Sequence, residues 1–442
     1  INFPDAEQVF KASRIRDSLA FIVAKNENTI TSIEQYLADY PNSLHIPEAK
    51  HIKMQLLYEK AKKVNTLEAY NEFVMLYPEG RQYIDIFNLK SSVIGNKILS
   101  GNKYPADVEW IKGYDRKGAN DYPASFNILP DESILLCGAT PQKDLEWNDI
   151  WLLKLDAGGK MLWNKTLGLE FDDKVNQMIP AGKHTFLLAG YTRATNLDTL
   201  NSKGWLFKIT ENGKNMWNRT LNCTEVLTVA AGADSTIIAG GYKLVDSSLA
   251  EIPFLTLLKP DGKVIWEREY VKPGRITSLV ADHDNNIFFS TGNWIAKIDR
   301  SGYLARETYV EDTLVNIHSC FSLDSSVYFA GNKDSITVIN HFNPQGKLIK
   351  NAEFLNETCM TLCDMQTDTD GNIWLLSAVK GDIILRKFDR QLQQTDLMKF
   401  GTQEEEKPLQ IQPFEDYLYL LFSGNLPSLD KDIIMMKMQV KN

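Results

Sequence analysis

A short apolar strand, a glycine turn and a tryptophan recur in fixed order along this chain, and that recurrence limits the fold more than any other feature. The clearest copy is Asp149-Ile150-Trp151-Leu152-Leu153-Lys154-Leu155-Asp156, a turn ending at Gly159-Lys160, then Leu162-Trp163-Asn164. It returns as Gly204–Ile209 with Gly213 and Trp217, and again as Phe254–Leu258 with Gly262 and Trp266. Weaker copies turn at Gly302 and Gly346, while around Leu392 the glycine is missing. Glycine suits such a hairpin because it takes positive φ without a Cβ clash. The tryptophan supplies a large apolar body for packing between neighbouring sheets.

Two further strands precede each unit. Before the first come Ser125–Leu129 and Ser133–Cys137, ending at Gly138; comparable second strands end at Gly190, Gly240, Gly292, Gly331, Ala378 and Gly424. Four strands per repeat, repeating about every 40–55 residues, are the signature of a propeller. The last repeat stops after its third strand, Asp432–Val440, and the first strand after the N-terminal region, Val108-Glu109-Trp110-Ile111-Lys112, matches the missing fourth. Pairing 108–112 with 432–440 closes the ring, removes an exposed sheet edge and predicts seven blades over residues 106–442.

Residues 1–100 follow another period. Apolar residues recur at three- and four-residue steps through Val9, Phe10, Ile15, Leu19, Phe21 and Ile22, which predicts helix. An internal echo follows at an offset of 37 (28 to 65): Asn28-Thr29 with Asn65-Thr66, Tyr36 with Phe73, Tyr40-Pro41 with Tyr77-Pro78. The Asn-Thr pair caps a helix start and the proline ends one. Between the copies, Ile46–Val64 is a further helical stretch. The fold expected is an all-β seven-bladed propeller with an N-terminal α-helical domain.

The Tyr-Pro helix ending followed by Asn42-Ser43 resembles tetratricopeptide repeats over roughly Ile22–Tyr83, of the variety found in bacterial outer-membrane assembly and envelope lipoproteins. The blade motif, lysine, apolar, Asp, x, x, Gly, x, apolar, Trp, resembles pyrroloquinoline-quinone-like propellers and related Bacteroidetes envelope proteins. Together they are similar to tetratricopeptide–propeller components of the type IX secretion machinery; the peptidoglycan-binding terminal domain that some of those carry is not found before Asn442. The resemblance implies a protein–protein interaction scaffold in a cell-envelope complex, with membrane-associated protein partners.

Composition narrows the chemistry. The 442 residues carry a net charge of −9, and no basic stripe suited to nucleic acid appears; Lys60, Lys62 and Lys63 sit beside Glu59 on a helical pattern. The five cysteines are an odd number and read as strand cysteines rather than a disulfide framework. Cys359 and Cys363 lack the further ligands zinc needs. The six histidines form no metal-protease pair. Gln366-Thr367-Asp368-Thr369-Asp370-Gly371 imitates half a calcium loop, but Gln366 and Ser377 stand where acids belong, so it and Asp282–Asn286 read as hairpin turns. No set of cofactor ligands can be placed, and the chain is read as non-enzymatic and without cofactor.

Loop lengths give the site expectation. The second-to-third-strand connections Ala139–Asn148, Tyr191–Lys203, Gly241–Ile252 and Gly424–Lys431 are long, and ring closure groups them in one sector of one face. Partner-binding candidates there are the aromatic anchors Trp147, Tyr191 and Tyr242, with Asp172 and Asp173 between blades. A glycan- or small-ligand-binding propeller and an enzyme with a central-channel site are the alternatives. No segment is apolar enough to span a bilayer. A start at Ile1 rather than Met fits a removed signal peptide or a trimmed start, so a periplasmic or other extracytoplasmic location, with association to the outer membrane, is the expectation.

Overall fold

The computed structural model of the chain describes residues 6–100, 105, 107–116, 120–141, 147–168, 172–193, 202–245, 250–282, 284–309, 314–321, 325–355, 360–401, 406–425 and 431–440. The chain forms two compact units, residues 1–93 and 94–442.

Helices in the first unit are α1 (Ala6–Glu27), α2 (Ile30–Asp39), α3 (Ile46–Val64) and α4 (Leu67–Leu76), and α5 (Arg81–Ser100) begins there. The sequence echo has a structural counterpart, with one refinement. Asn28 and Asn65 take left-handed φ of 48° and 53° and terminate α1 and α3, while Thr29 and Thr66 accept backbone N–H bonds that start α2 and α4. Each Asn-Thr pair is thus a helix end followed at once by a helix start. Tyr36 and Phe73 occupy matching buried positions. None of the described helices is long and apolar enough to cross a membrane.

The second unit is a ring of seven four-stranded antiparallel sheets. Six blades are built from consecutive strands: 122–167, 172–220, 225–269, 278–309, 315–355 and 361–400. The first strands of neighbouring blades approach one another and so face the axis. Blade 7 comprises Lys407–Phe414, Tyr417–Asn425 and Lys431–Gln439, and its outer strand is Val108–Tyr114. In that pairing Trp110 lies opposite Lys437 and Ile111 opposite Met436.

The recurring glycine and tryptophan turn out to belong to the same contact. Each tryptophan rests on the glycine turn of the next blade, not its own. A Cβ on Gly213 would come 3.0 Å from the Trp163 ring, on Gly262 3.1 Å from Trp217, and on Gly302 3.2 Å from Trp266. The indole N–H groups of Trp217 and Trp266 donate to Pro260 O and Arg300 O in those turns. Trp110 makes the same contact across the closure: a Cβ on Gly159 would stand 2.9 Å from its ring, and its N–H donates to Ala157 O at 3.1 Å.

The aspartate of the motif has its own task. Asp156 Oδ1 accepts the N–H groups of Gly158 and Lys160, as Asp299 does from Ser301 and Tyr303, and Asp389 from Gln391 and Gln393. In that last turn Leu392 takes the glycine place at φ 59°, with its side chain buried. The Asp368 and Asp282 segments are turns of the same kind. Apolar cores fill the gaps between adjacent blades; one combines Leu135, Leu152, Val175 and Phe207 from blades 1 and 2.

Replacing Trp110 with Ala in this half-buried site is expected to cost about 2 kcal/mol, roughly half the loss at a fully buried aromatic. Gly159→Ala, at φ 72°, is expected to cost about 1–2 kcal/mol. Since the Trp110 ring lies on the Gly159 turn, urea unfolding of the double variant should show less than the summed loss. Strictly additive losses would mean the contact carries no energy.

Candidate functional site

Strand alternation alone would send every second side chain toward the axis, but six of the seven innermost ladders are interrupted by a bulge, at 123–125, 175–177, 226–228, 315–318, 362–364 and 408–410. Bulges re-aim side chains. Here they help line a cavity of about 250 Å³ with residues from all seven blades.

In six blades one position follows the interruption, Ser125, Gln177, Thr228, His318, Asp364 and Gln410, and in the uninterrupted blade 4 Ser278 opens the ladder opposite Ser290. Several of these side chains fasten the next blade by accepting a backbone N–H. Gln177 Oε1 takes that of Val229 at 2.8 Å, Asp364 Oδ2 that of Ile411 at 2.9 Å, and Gln410 Oε1 that of Phe126 at 2.8 Å. Blade 5 departs from this pattern. The N–H of Met365, which would answer His318, is taken by Asp364 Oδ1 instead, and blade 6 is fastened through Leu362 N–H and Asn332 Oδ1.

His318 is therefore left facing the cavity, its Nδ1 3.7 Å from Asp364 Oδ1, with 30% of the imidazole and 12% of the carboxylate exposed. Burial penalises both charged forms. It pushes the His318 imidazole down to about 4 and the Asp364 carboxyl up to about 7, the latter opposed by hydrogen bonds from Ile411, Met365 and Gln366. The adjoining Cys363 thiol is pushed up to about 12 by burial and by Asp364. A neutral imidazole beside a carboxyl that titrates near neutrality can accept, donate or share a proton.

A second concavity of about 480 Å³ lies at the strand ends of blades 7, 1 and 2. Tyr122, Pro123, Lys174, Tyr191, Lys407 and Leu409 line it, with Asp172 and Asp173. Of the five sequence candidates, this groove brings together Tyr191, Asp172 and Asp173. Tyr191 is only 8% exposed and lies under the Arg193 guanidinium at 4.5 Å, so it forms wall rather than a projecting anchor. Asp172 Oδ1 accepts from the backbone and side-chain nitrogens of Asn148, and Asp173 is buried.

Tyr242 is not in the groove. It is buried in blade 3, donates to Glu225 at 3.1 Å and is covered by Arg275 at 4.2 Å. Trp147 is half-buried and also outside the lining. The strands extend further than the sequence implies, to Pro141, Arg193, Val245 and Asn425, which shortens all four connections; most residues of those connections lie outside the described residues. Reading the sequence missed Tyr122, Leu409, His318 and Asp364. For the last two, a signal existed: they stand at matching places in consecutive repeats.

No protein-family model and no curated protein sequence matches the chain. Solved structures do. A catalytically inactive virginiamycin B lyase from Staphylococcus aureus, solved with quinupristin, superposes with a TM-score of 0.52 at 13% identity, over 74% of this chain and 99% of the lyase. A streptogramin B lyase gives 0.52 at 14%, over 77% and 99%. The WD40 domain of Neurospora crassa Pan2 gives 0.50 at 9%, over 73% and 90%. At these identities the likeness is one of fold.

One expectation is corrected by these matches. The sequence was read as non-enzymatic because no catalytic motif stands out in it. Two of the matched propellers are lyases, so a propeller can carry catalysis, and the fold gives no ground for excluding it.

The two shifted groups make opposite demands on stability. Asp364 holds a proton in the folded chain between about 4 and 7 that the unfolded chain has released, so its contribution falls as pH rises through that window. His318 lacks, between about 4 and 6.5, a proton that the unfolded chain binds, so its contribution rises over that range. Asp364→Asn should therefore gain stability relative to the parent as pH goes from 4.5 to 7, and His318→Gln should lose it. Urea midpoints at both pH values measure this, and identical differences at the two would disprove it.

Proposed function

We propose that this chain is a protein-binding module that docks a segment of its partner in the groove at the strand ends of blades 7, 1 and 2. The observation that carries the reading is an apolar cluster at a concave site: Tyr122 is 41% exposed and Leu409 37%, with Pro123 between blades, and the exposed Lys174 and Lys407 stand at the rim. Isolated exposed apolar residues are ordinary, whereas several lining one concavity beside polar groups fit an anchor site.

The finer reading extends this to a subunit of a bacterial envelope assembly, with protein partners at a membrane and an extracytoplasmic location. Its support is the resemblance of the helical echo to tetratricopeptide repeats of that setting, since repeat helices and propellers both present broad docking surfaces. Cell fractionation with antibody detection tests the location separately.

A photoreactive amino acid at position 122 should cross-link to a protein partner in cells. The same group at position 303, 65% exposed beside the Gly302 turn on the opposite edge, should not. Replacing Tyr122 and Leu409 together with Ala should weaken partner capture at least about tenfold, while Tyr303→Ala leaves it unchanged. Equal cross-linking from both positions, or none from 122, would refute the reading.

A further inference from the structure

The axial cavity has a composition that the docking groove does not explain. Among the described residues lining it there is no lysine or arginine, and its one carboxylate is Asp364. Apolar surface comes from Leu227, Leu279 and Leu409, and the other groups are hydroxyls, amides, His318 and Cys363. Much of the ring's hydrogen-bonding capacity is already used between blades: Gln177 and Gln410 serve the neighbouring backbone, and Ser278 is bonded to Ser319. Asp364 Oδ1 and Oδ2 each accept one backbone N–H, from Met365 and Ile411, and each keeps a lone pair for a ligand, beside His318 of the neighbouring blade.

His318, neutral above about 4, keeps one ring nitrogen as an acceptor. The carboxylate, the imidazole and the Gln366 amide thus bring acceptors to a cavity that leucine side chains also line. A cation lacking a carbon body would leave the leucine surface unused, and an anion would meet only Asp364. The net charge of −9 also draws cations toward the protein.

We propose that the axial cavity binds a small organic amine in its ammonium form, with the head group held by Asp364 and His318 and the carbon stem against Leu227, Leu279 and Leu409. Leu409 lines both concavities, but the head group is held by residues outside the groove, so a failed cross-link at position 122 and a failed amine titration are separate results.

The proton on Asp364 competes with the ammonium. Its carboxyl lies near 7 because of burial, so binding strengthens as pH rises through that value and releases a proton below it. The groups facing the carboxylate are His318 from blade 5, neutral above about 4, and Cys363 on its own strand, a neutral thiol in this range. Blade 7 presents the uncharged Leu409 and Gln410.

Calorimetric titration of the full chain with propylammonium chloride, and separately with 1-propanol, tests this. Saturable binding of the amine and none of the alcohol is expected, with affinity about tenfold lower at pH 6 than at pH 8 for a competing group near 7. Asp364→Asn keeps an oxygen for the Ile411 N–H and should abolish amine binding while remaining folded. Should that variant misfold, the ¹⁵N imidazole resonances of His318 in the unmodified chain decide, and they should move on adding the amine. No saturable amine binding, equal binding by 1-propanol, undiminished binding to a folded Asp364→Asn, or an unmoved His318 signal would each overturn the proposal.

Discussion

The contact between a tryptophan of one blade and the glycine turn of the next is what the ring rests on. A flat indole approaches a turn this closely only if no side chain stands there, and the same turn needs a residue at positive φ. One glycine meets both conditions. At the closure, Trp110 makes the contact with Gly159 from a strand supplied by the start of the propeller region, so the seam is held by the same chemistry as the interfaces between blades 2 and 3 or 3 and 4. The second fastening, the side chains that accept a neighbouring blade's N–H near the axis, acts at the opposite radius. Where both occur they hold neighbouring sheets at their outer and inner edges, and the apolar cores fill the space between; at the turn of blade 5, Gly346 meets Lys297 and Arg306 in place of an indole.

Much of this architecture could be read from residues alone, because a repeat writes its constraints many times. Trp163, Trp217 and Trp266 stand at one distance from their glycines, and Trp110 could be matched to them without coordinates. What the linear pattern did not disclose was that tryptophan and glycine meet across blades, since partners in sequence and partners in space are both present in every copy. Leu392 shows the tolerance of the rule: its aspartate cap and buried side chain hold a strained φ that the other turns assign to glycine.

The site was harder to read for a physical reason. His318 and Asp364 lie 46 positions apart (318 to 364), each an unremarkable residue in its own strand, and the bulges that direct the inner strands toward the axis disturb the alternation by which inward positions are normally recognised. Tyr191 and Tyr242 are the reverse case. An aromatic at the end of a strand looks like an anchor in sequence, but here each is covered by an arginine, Tyr191 in the groove wall and Tyr242 within blade 3. Exposure, which sequence does not report, decided between those roles. The same lesson applies to catalysis: a propeller assembles its axial groups one per blade, so the absence of a local motif carries little weight.

The seam has a consequence for how the molecule is made. The strand Val108–Tyr114 leaves the ribosome early and its partner Lys431–Gln439 last of the ring; at roughly 5–20 residues per second the interval is on the order of tens of seconds. Throughout that time six blades can stack in order of synthesis while the first strand has nothing to pair with. The nascent chain therefore carries an unsatisfied β-edge at its leading end for most of its translation, and protection of that edge falls to whatever the emerging polypeptide meets.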